Sequence, residues 1–137
     1  HYDLDDILDR GEDLAQRLWR HSGLNVGAVD VPQVYDGFSA LVYFWLESLG
    51  FCGRGEAHDF VQDGAISSQG SCPILSGGGS LGNGRMHGVP QMLECYLQLS
   101  RRAGQRQRKV ADVALACQGF PNIGGAVLYS AHPPSSR

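Results

Sequence analysis

A glycine-rich segment at residues 77–84, which reads GGGSLGNG, limits most tightly what this chain can fold into. Apolar residues resume helical spacing from about Met86, directly after it. Glycines let a backbone approach a ligand closely, and a helix N-terminus offers free N–H groups to anionic or carbonyl oxygens. No Lys-Ser or Lys-Thr pair follows Gly84 and the G-x-G-x-x-G spacing is absent, which excludes a Walker loop and a dinucleotide fingerprint. We predict a ligand-facing loop that opens directly into a helix; the alternative is a turn that serves packing alone.

Helix and strand patterns alternate along the rest of the chain. The first helical pattern begins among acidic residues and stops at Ser22-Gly23, as a helix N-terminus and C-terminus favour. Runs of β-branched and apolar residues predict strands. The predicted elements are helix 3–20, strand 29–35, helix 38–49, helix 86–100, strand 110–117 and strand 125–129. This order predicts an α/β layered fold with one domain at 1–130 and a flexible tail at 131–137.

The composition indicates one globular domain. The 137 residues are 42% hydrophobic and 18% charged with a formal net charge of −3, so the chain can bury a single core. The basic residues between 101 and 109 have no aromatic residues among them, which favours a solvated connection over a nucleic-acid surface. The longest apolar stretch, 40–46, is too short to span a bilayer, and no signal-peptide pattern begins the chain. We expect a cytoplasmic protein with no nucleic-acid partner and no membrane span.

The four cysteines stand at positions 52, 72, 95 and 117. No two of them form a CxxC pair, and no histidine lies at a ligand spacing from any of them. Nothing in the sequence marks the chain as secreted, so a disulfide framework is not expected. We predict reduced cysteines and no metal site.

Three positions outside the glycine segment could carry chemistry. Tyr35-Asp36 ends a predicted strand, where open α/β sheets bind ligands, and a desolvated tyrosine hydroxyl can transfer a proton. His87 is expected in the first turn of the helix after the glycine segment, and Cys117 ends a predicted strand. The alternatives are a strand-end tyrosine with its hydroxyl in water, a capping or packing histidine and a buried, inert cysteine.

Three segments together resemble the thiolase-like lipid-transfer proteins, relatives of the sterol-carrier thiolases that include steroid side-chain aldolases. The segments are 34–38 (VYDGF), 46–52 (LESLGFC) and 78–88 (GGSLGNGRMHG), in the order in which the family has them. The resemblance covers nearly the whole chain. It implies the C-terminal half of a thiolase fold, a layered α/β unit of βαβαβαββ type, whose N-terminal counterpart supplies the nucleophilic cysteine.

The resemblance also assigns roles to single positions. Tyr35 falls at the strand-end motif, where aldolase-like members also have tyrosine, and His87 at a position that lipid-transfer members commonly fill with histidine; both are predicted to be catalytic. Arg85 falls where a thiolase has the histidine of its GHP motif, which argues against Claisen chemistry because arginine stays protonated. Leu75 replaces a common asparagine. The predicted substrate-binding residues are Asp36, Gly78, Gly79, Arg85 and Cys117, the last of which begins a stretch similar to the thiolase CxG motif.

The function implied by the resemblance is retro-aldol cleavage of a β-hydroxyacyl-CoA, with a steroid side chain as one candidate acyl group. Coenzyme A then belongs to the substrate, and no cofactor is expected to bind this chain. The implied partners are an N-terminal thiolase half, from the same gene or a separate chain, a homo- or hetero-oligomer, and an OB-fold zinc-ribbon protein. The alternative is a non-catalytic acyl-binding or structural half; a fragment of a longer protein is a third reading.

One further expectation concerns assembly. A thiolase half packs one sheet face and a central helix against the other half, so the isolated chain should expose apolar surface. The helix predicted at 38–49 motivates this expectation: with apolar residues on most sides, it should be buried between layers and not lie on the surface.

Overall fold

A three-stranded sheet lies at the centre of the molecule, which a computed structural model describes from residue 3 to residue 132. The strands are β1 (Val31–Gln33), β2 (Val113–Gln118) and β3 (Gly125–Ser130), in the order β1-β2-β3. β1 pairs parallel with β2, with Val31 opposite Ala114, whereas β3 returns antiparallel, with Leu128 opposite Leu115. The three predicted strands are confirmed, β1 as a shorter element than expected.

Helices cover both faces of this sheet. They are α1 (Leu4–Ser22), α2 (Ser39–Leu49), α3 (Ala57–Gln62), α4 (Gly79–Asn83) and α5 (Val89–Leu99). Short 3-10 turns occupy Val26–Ala28 and Gly104–Arg106. The short α3 and α4 lie inside the region 50–84, where the sequence shows little periodicity. The layered α/β arrangement predicted from the sequence is confirmed.

The ends of α1 follow the local sequence signals. The Asp3 carboxylate accepts a hydrogen bond from the Asp6 N–H at 2.7 Å, and Asp5 and Asp6 lie in the positive first turn. Gly23 ends the helix in a left-handed conformation with φ of 70°, and its N–H donates to the Trp19 carbonyl. The predicted stop at Ser22-Gly23 is confirmed.

The core divides between the two faces of β2 according to the alternation of its side chains. Leu115 and Cys117 join the larger apolar cluster with α1 and α2, whereas Ala114 and Ala116 join a smaller cluster that includes Cys95 of α5. The small alanine side chains let α5 lie close to the sheet. The central strand β2 is therefore buried on both faces.

The helix α2 is buried between α1 and the sheet of its own chain, which confirms its predicted placement between layers. Trp45 and Leu46 are fully buried in the larger core cluster, and the Trp45 indole N–H donates to the Gly119 carbonyl at 2.9 Å. Phe38 precedes the helix as its N-cap residue and is exposed. The apolar character of α2 on most sides follows from its position between α1 and the sheet.

Exposed apolar surface lies instead on α5. Its buried residues include Gln91, Glu94 and Gln98, whereas the apolar stripe that gives the helix its periodicity faces outward. We call this stripe the outer face of α5; its members are Val89, Met92, Leu93 and Tyr96, each between 42% and 54% exposed. In α5, polar side chains therefore face the sheet, and the apolar stripe faces away from it.

Two further expectations concern the tail at 131–137 and a membrane span. Of the predicted tail at 131–137, residues 133–137 lie outside the described residues. Within residues 3–132, no helix combines the length and the apolar character needed to cross a bilayer.

Candidate active site

The Asp36 carboxylate, just after β1, fixes the glycine segment to the sheet. Its Oδ1 accepts hydrogen bonds from the Ser80 N–H at 2.6 Å and from the Gln91 side-chain amide at 2.8 Å. Its Oδ2 accepts from the Leu81 N–H at 3.1 Å. Asp36 is 2% exposed, so the carboxylate is buried and held by three N–H donors. Asp36 is thus placed to support the loop, and its oxygens are occupied by protein groups.

The glycine segment differs from its predicted form in one respect. Its residues 79–83 themselves form the short helix α4, and α5 does not follow directly but begins six residues after the end of α4, at Val89. The N–H groups of Ser80 and Leu81, in the first turn of α4, donate to Asp36. The Asn83 side-chain amide closes the segment by donating to the Gly77 and Gly79 carbonyls at 2.7 and 2.9 Å. These loop N–H groups are therefore used to hold the loop itself.

Gly78 and Gly79 adopt backbone conformations that side chains disfavour. Their φ angles are +91° and +58°, both in the left-handed region. A Cβ on Gly79 would also collide with the Asp36 carboxylate. Glycine at position 79 is required by its close approach to Asp36 as well as by its φ.

Tyr35 is buried at the end of β1, with 5% of its surface exposed. Its ring belongs to the larger core cluster, and its phenol end lies against the Cα of Gly37, where a Cβ would overlap the ring. Among residues 3–132, no hydrogen bond to protein involves the Tyr35 hydroxyl. The structure thus places the phenol beside Gly37, at the end of the strand.

Arg85 reaches the same position from the other side of the site. Its Nη2 donates to the Gly37 carbonyl at 3.2 Å, and its guanidinium lies 4.6 Å from the centre of the Phe38 ring. Phe38 in turn packs against Phe120 with 6.4 Å between ring centres. Gly37 therefore lies between the Tyr35 phenol and an exposed, permanently charged guanidinium.

His87 lies before α5 and not in its first turn, which corrects the predicted placement. It is exposed and has a φ of +46°, an uncommon conformation for a residue other than glycine. Gly88 follows as the N-cap of α5, and a Cβ on it would contact the Gln118 side chain at 3.0 Å. The 84–88 segment thus packs against the end of β2, which brings Gly88 next to the CxG-like stretch that begins at Cys117.

Cys117 has no free surface on which a substrate could lie. The side chain is 1% exposed within the larger core cluster. Burial raises the pKa of the Cys117 thiol well above its ordinary value, and the nearby Cys95 adds to that effect. The structure therefore does not bring this predicted substrate-binding residue to the surface that carries Arg85 and His87.

A buried polar network behind α5 supports the site and was missed in the sequence. The Glu94 carboxylate, nearly fully buried, accepts hydrogen bonds from Ser76 Oγ at 2.9 Å, Gln98 Nε2 at 2.8 Å and Arg106 Nη2 at 3.0 Å. Gln91 adds hydrogen bonds to Asp36 Oδ1 and Ser80 Oγ, so these residues tie the helix to the glycine segment and to the residue before it. The signal available in the sequence was the spacing 91, 94 and 98, which places three polar residues on one helical face.

These parts define a class of protein: a layered α/β half in which a strand-end tyrosine and a glycine segment meet at one end of the sheet. Residues 8–130 match the family described as Thiolase C-terminal domain-like. The chain belongs to this family. The fold class and the family resemblance predicted from the sequence are confirmed.

Curated relatives are similar over most of this chain. A 17-hydroxy-3-oxo-4-pregnene-20-carboxyl-CoA lyase of Mycobacterium tuberculosis is 41% identical over 71% of the chain and 25% of the relative. A steroid side-chain-cleaving aldolase of Thermomonospora curvata is 42% identical over 81% of the chain and 29% of the relative. The sterol carrier protein 2 of Bos taurus is 34% identical over 88% of the chain and 22% of the relative.

A solved structure shares the fold. The Ltp2-ChsH2(DUF35) aldolase superposes with a TM-score of 0.80 at 30% identity, over 90% of this chain and 32% of the matched chain. The present chain thus spans between a fifth and a third of the length of these relatives.

Proposed function

We propose that the chain is the C-terminal part of a thiolase-fold lyase that cleaves a carbon–carbon bond in a β-hydroxyacyl-CoA. The observation that carries this proposal is the meeting of Tyr35 and Arg85 at Gly37, a phenol and a fixed positive charge at the end of one strand. Support comes from the names of two relatives, a steroid side-chain-cleaving aldolase and a carboxyl-CoA lyase. A steroid acyl group is accordingly the candidate substrate, with coenzyme A as its thioester carrier.

The proposed reaction is a retro-aldol cleavage. A base removes the proton of the β-hydroxyl, the bond between Cα and Cβ breaks, and Cβ becomes a carbonyl carbon. The electron pair of the broken bond moves to the thioester as an enolate, which takes a proton at Cα to give the shorter acyl-CoA. Such a reaction needs one group for proton transfer and a positive or hydrogen-bonding group beside the enolate oxygen.

Tyr35 is the proposed proton-transfer group, as base toward the hydroxyl or as acid toward the enolate carbon. Arg85 is proposed to bind the thioester oxygen, because its guanidinium is charged at every ordinary pH and is held by Gly37 and Phe38. His87, exposed on the next turn of the same segment, is the second proposed donor. Asp36, Gly78 and Gly79 contribute by shaping the loop.

The outer face of α5 supports a partner in the proposed assembly. Four large apolar side chains lie on one face of this helix, and soluble proteins rarely leave such an apolar patch exposed to water. The proposed cover is the N-terminal thiolase half, supplied by the rest of the protein or by a second chain. An OB-fold zinc-ribbon protein is a further proposed partner, and the solved Ltp2-ChsH2(DUF35) aldolase supports a heteromeric arrangement.

Tyr35→Phe tests the catalytic proposal. The substitution removes the hydroxyl and leaves the ring to pack, so kcat should fall roughly 10²–10⁴-fold while the free energy of unfolding changes by about 1 kcal/mol or less. The measurement is turnover of a β-hydroxyacyl-CoA by the complete assembly, followed by release of the shorter acyl-CoA. Tyr129→Phe, on β3 away from the glycine segment, is the matched control and should retain activity.

A non-catalytic role is the second candidate, and the packing of the Tyr35 ring within the core cluster favours it. In that case Tyr35→Phe would keep nearly full activity and lower the thermal stability. That result would remove Tyr35 from the catalytic machinery and leave the chain as an acyl-binding or structural half.

A further inference from the structure

We infer that an apolar cavity beside the glycine segment holds the acyl group of the substrate, an inference that rests on the function proposed above. The cavity has a volume of about 350 Å³ and lies between α2 and the irregular segment 66–75. Leu81 of α4 forms its rim and is 67% exposed. The lining residues are Asp36, Ser39, Val42, Tyr43, Ile66, Ile74, Leu75 and Leu81.

The lining fits an apolar ligand. Five of the eight lining side chains are aliphatic, and Asp36 is the charged residue among them. Both Asp36 oxygens accept hydrogen bonds from Ser80, Leu81 and Gln91, so the carboxylate is already satisfied by protein donors. A bulky hydrocarbon group would gain about 25 cal/mol for each Å² of apolar surface removed from water. The volume lies within the ordinary range of small-molecule sites.

The position of the cavity connects it to the proposed reaction. Leu81 belongs to the glycine segment and Leu75 lies two residues before it, and both line the cavity. Asp36, which lines it as well, directly follows Tyr35 in the chain. An acyl group in the cavity would therefore lie next to the loop that Asp36 holds in place.

Leu75 provides an independent observation at the same site. It has a φ of +52°, which is rare for a residue other than glycine, asparagine or aspartate. Its N–H donates to the Pro32 carbonyl on the edge of β1, and its carbonyl accepts from the Gly78 N–H at 2.8 Å. Unusual backbone conformations of this kind concentrate at ligand sites. Here the conformation presents an aliphatic side chain to the cavity.

Filling the cavity tests the inference. Ser39, the first residue of α2, lines the cavity and is exposed, so Ser39→Phe adds a ring there at little cost to the fold. Ala40→Phe is the matched control, because Ala40 is the next residue of the same helix end, is exposed and does not line the cavity. The complete assembly carrying each substitution is assayed with a steroid β-hydroxyacyl-CoA and with 3-hydroxy-3-methylbutanoyl-CoA.

The expected result is that Ser39→Phe raises KM for the steroid substrate about tenfold or more and leaves KM for the short substrate unchanged. Ala40→Phe should change neither. Equal effects of the two variants, no effect of either, or an equal rise for both substrates would overturn the inference.

A direct binding measurement separates this inference from the lyase proposal. Equilibrium dialysis with a steroid carboxylic acid lacking coenzyme A measures binding to the cavity in the absence of any reaction. If neither thioester is cleaved, the lyase proposal fails. The dialysis still shows whether the cavity binds the steroid group. Binding that Ser39→Phe weakens and Ala40→Phe does not would support it, and equal binding by wild type and both variants would refute it.

Discussion

Gly79 shows how one residue couples the local backbone to a distant carboxylate. Its φ of +58° turns the chain into α4, and the absence of a Cβ lets the Asp36 oxygens reach the Ser80 and Leu81 N–H groups. The sequence predicts a glycine loop here from composition alone. The partner of the loop could not be predicted, because Asp36 lies more than forty residues earlier in the chain and its carboxylate could equally have faced a ligand.

Gly79→Ala should therefore lower the free energy of unfolding by at least about 2 kcal/mol, since a left-handed alanine and a collision with Asp36 both oppose the native fold. Gly82→Ala is the matched control: nothing lies within 4 Å of the added Cβ, and Gly82 is inside α4. It should be neutral or stabilise by up to about 1 kcal/mol. Denaturant unfolding of both variants measures the difference, and equal midpoints would contradict this account of Gly79.

The cysteines differ in reactivity for a residue-level reason. Burial raises the pKa of Cys95 to about 12 and that of Cys117 well above its ordinary value, whereas Cys52 and Cys72 are partly exposed. The pKa values of Cys52 and Cys72 are also raised, to about 11, so all four thiols are neutral at pH 8. Exposure then decides the order of reaction.

We expect iodoacetamide at pH 8 to modify Cys52 and Cys72 slowly and to leave Cys95 and Cys117 unmodified while the protein is folded. Peptide mass spectrometry after timed alkylation gives the rate at each position, and the same reaction in denaturant labels every thiol as the reference. Alkylation of Cys117 in the folded protein as fast as that of Cys52 would show that the CxG-like stretch is open.

At the scale of elements, α5 shows what periodicity can and cannot predict. Its apolar spacing correctly predicts a helix with one apolar stripe. The spacing could not show which way that stripe faces. Apolar periodicity indicates a helix face that is buried in the complete protein, but it does not show whether the same chain or a partner covers that face. In this chain the polar residues Gln91, Glu94 and Gln98 face the sheet, and the stripe faces outward.

Leu93→Glu should accordingly destabilise the complete protein and have little effect on the fold of residues 3–132 alone, because Leu93 is 53% exposed here. A carboxylate left unpaired in a covered interface costs a few kcal/mol, which corresponds to a loss of several degrees in Tm. Gln16→Glu, which adds the same charge to an exposed position of α1, is the control. The melting temperature of each full-length variant is the measurement, and identical values would show that the outer face of α5 stays open to water.

At the scale of the whole molecule, the sequence predicts the layers, the strand order along the chain and the family. It does not predict which residues come together at the candidate site. Short elements such as α3 and α4 carry too few residues for a periodic signal, and the contact of Arg85 with Gly37 joins positions 48 residues apart. Local patterns thus determine the elements, whereas the functional contacts are long-range.

The complete protein is expected to lack thiolase activity. The family resemblance implies that Arg85 stands where a thiolase has its histidine, and arginine cannot act as a neutral base. Cys117 is a buried, protonated thiol. The test is thiolysis of acetoacetyl-CoA by coenzyme A, which would release two molecules of acetyl-CoA. The preparation that cleaves a β-hydroxyacyl-CoA should release acetyl-CoA no faster than a blank that contains buffer alone. Robust release of acetyl-CoA that Arg85→Ala abolishes would instead make Arg85 part of a Claisen site and refute this assignment.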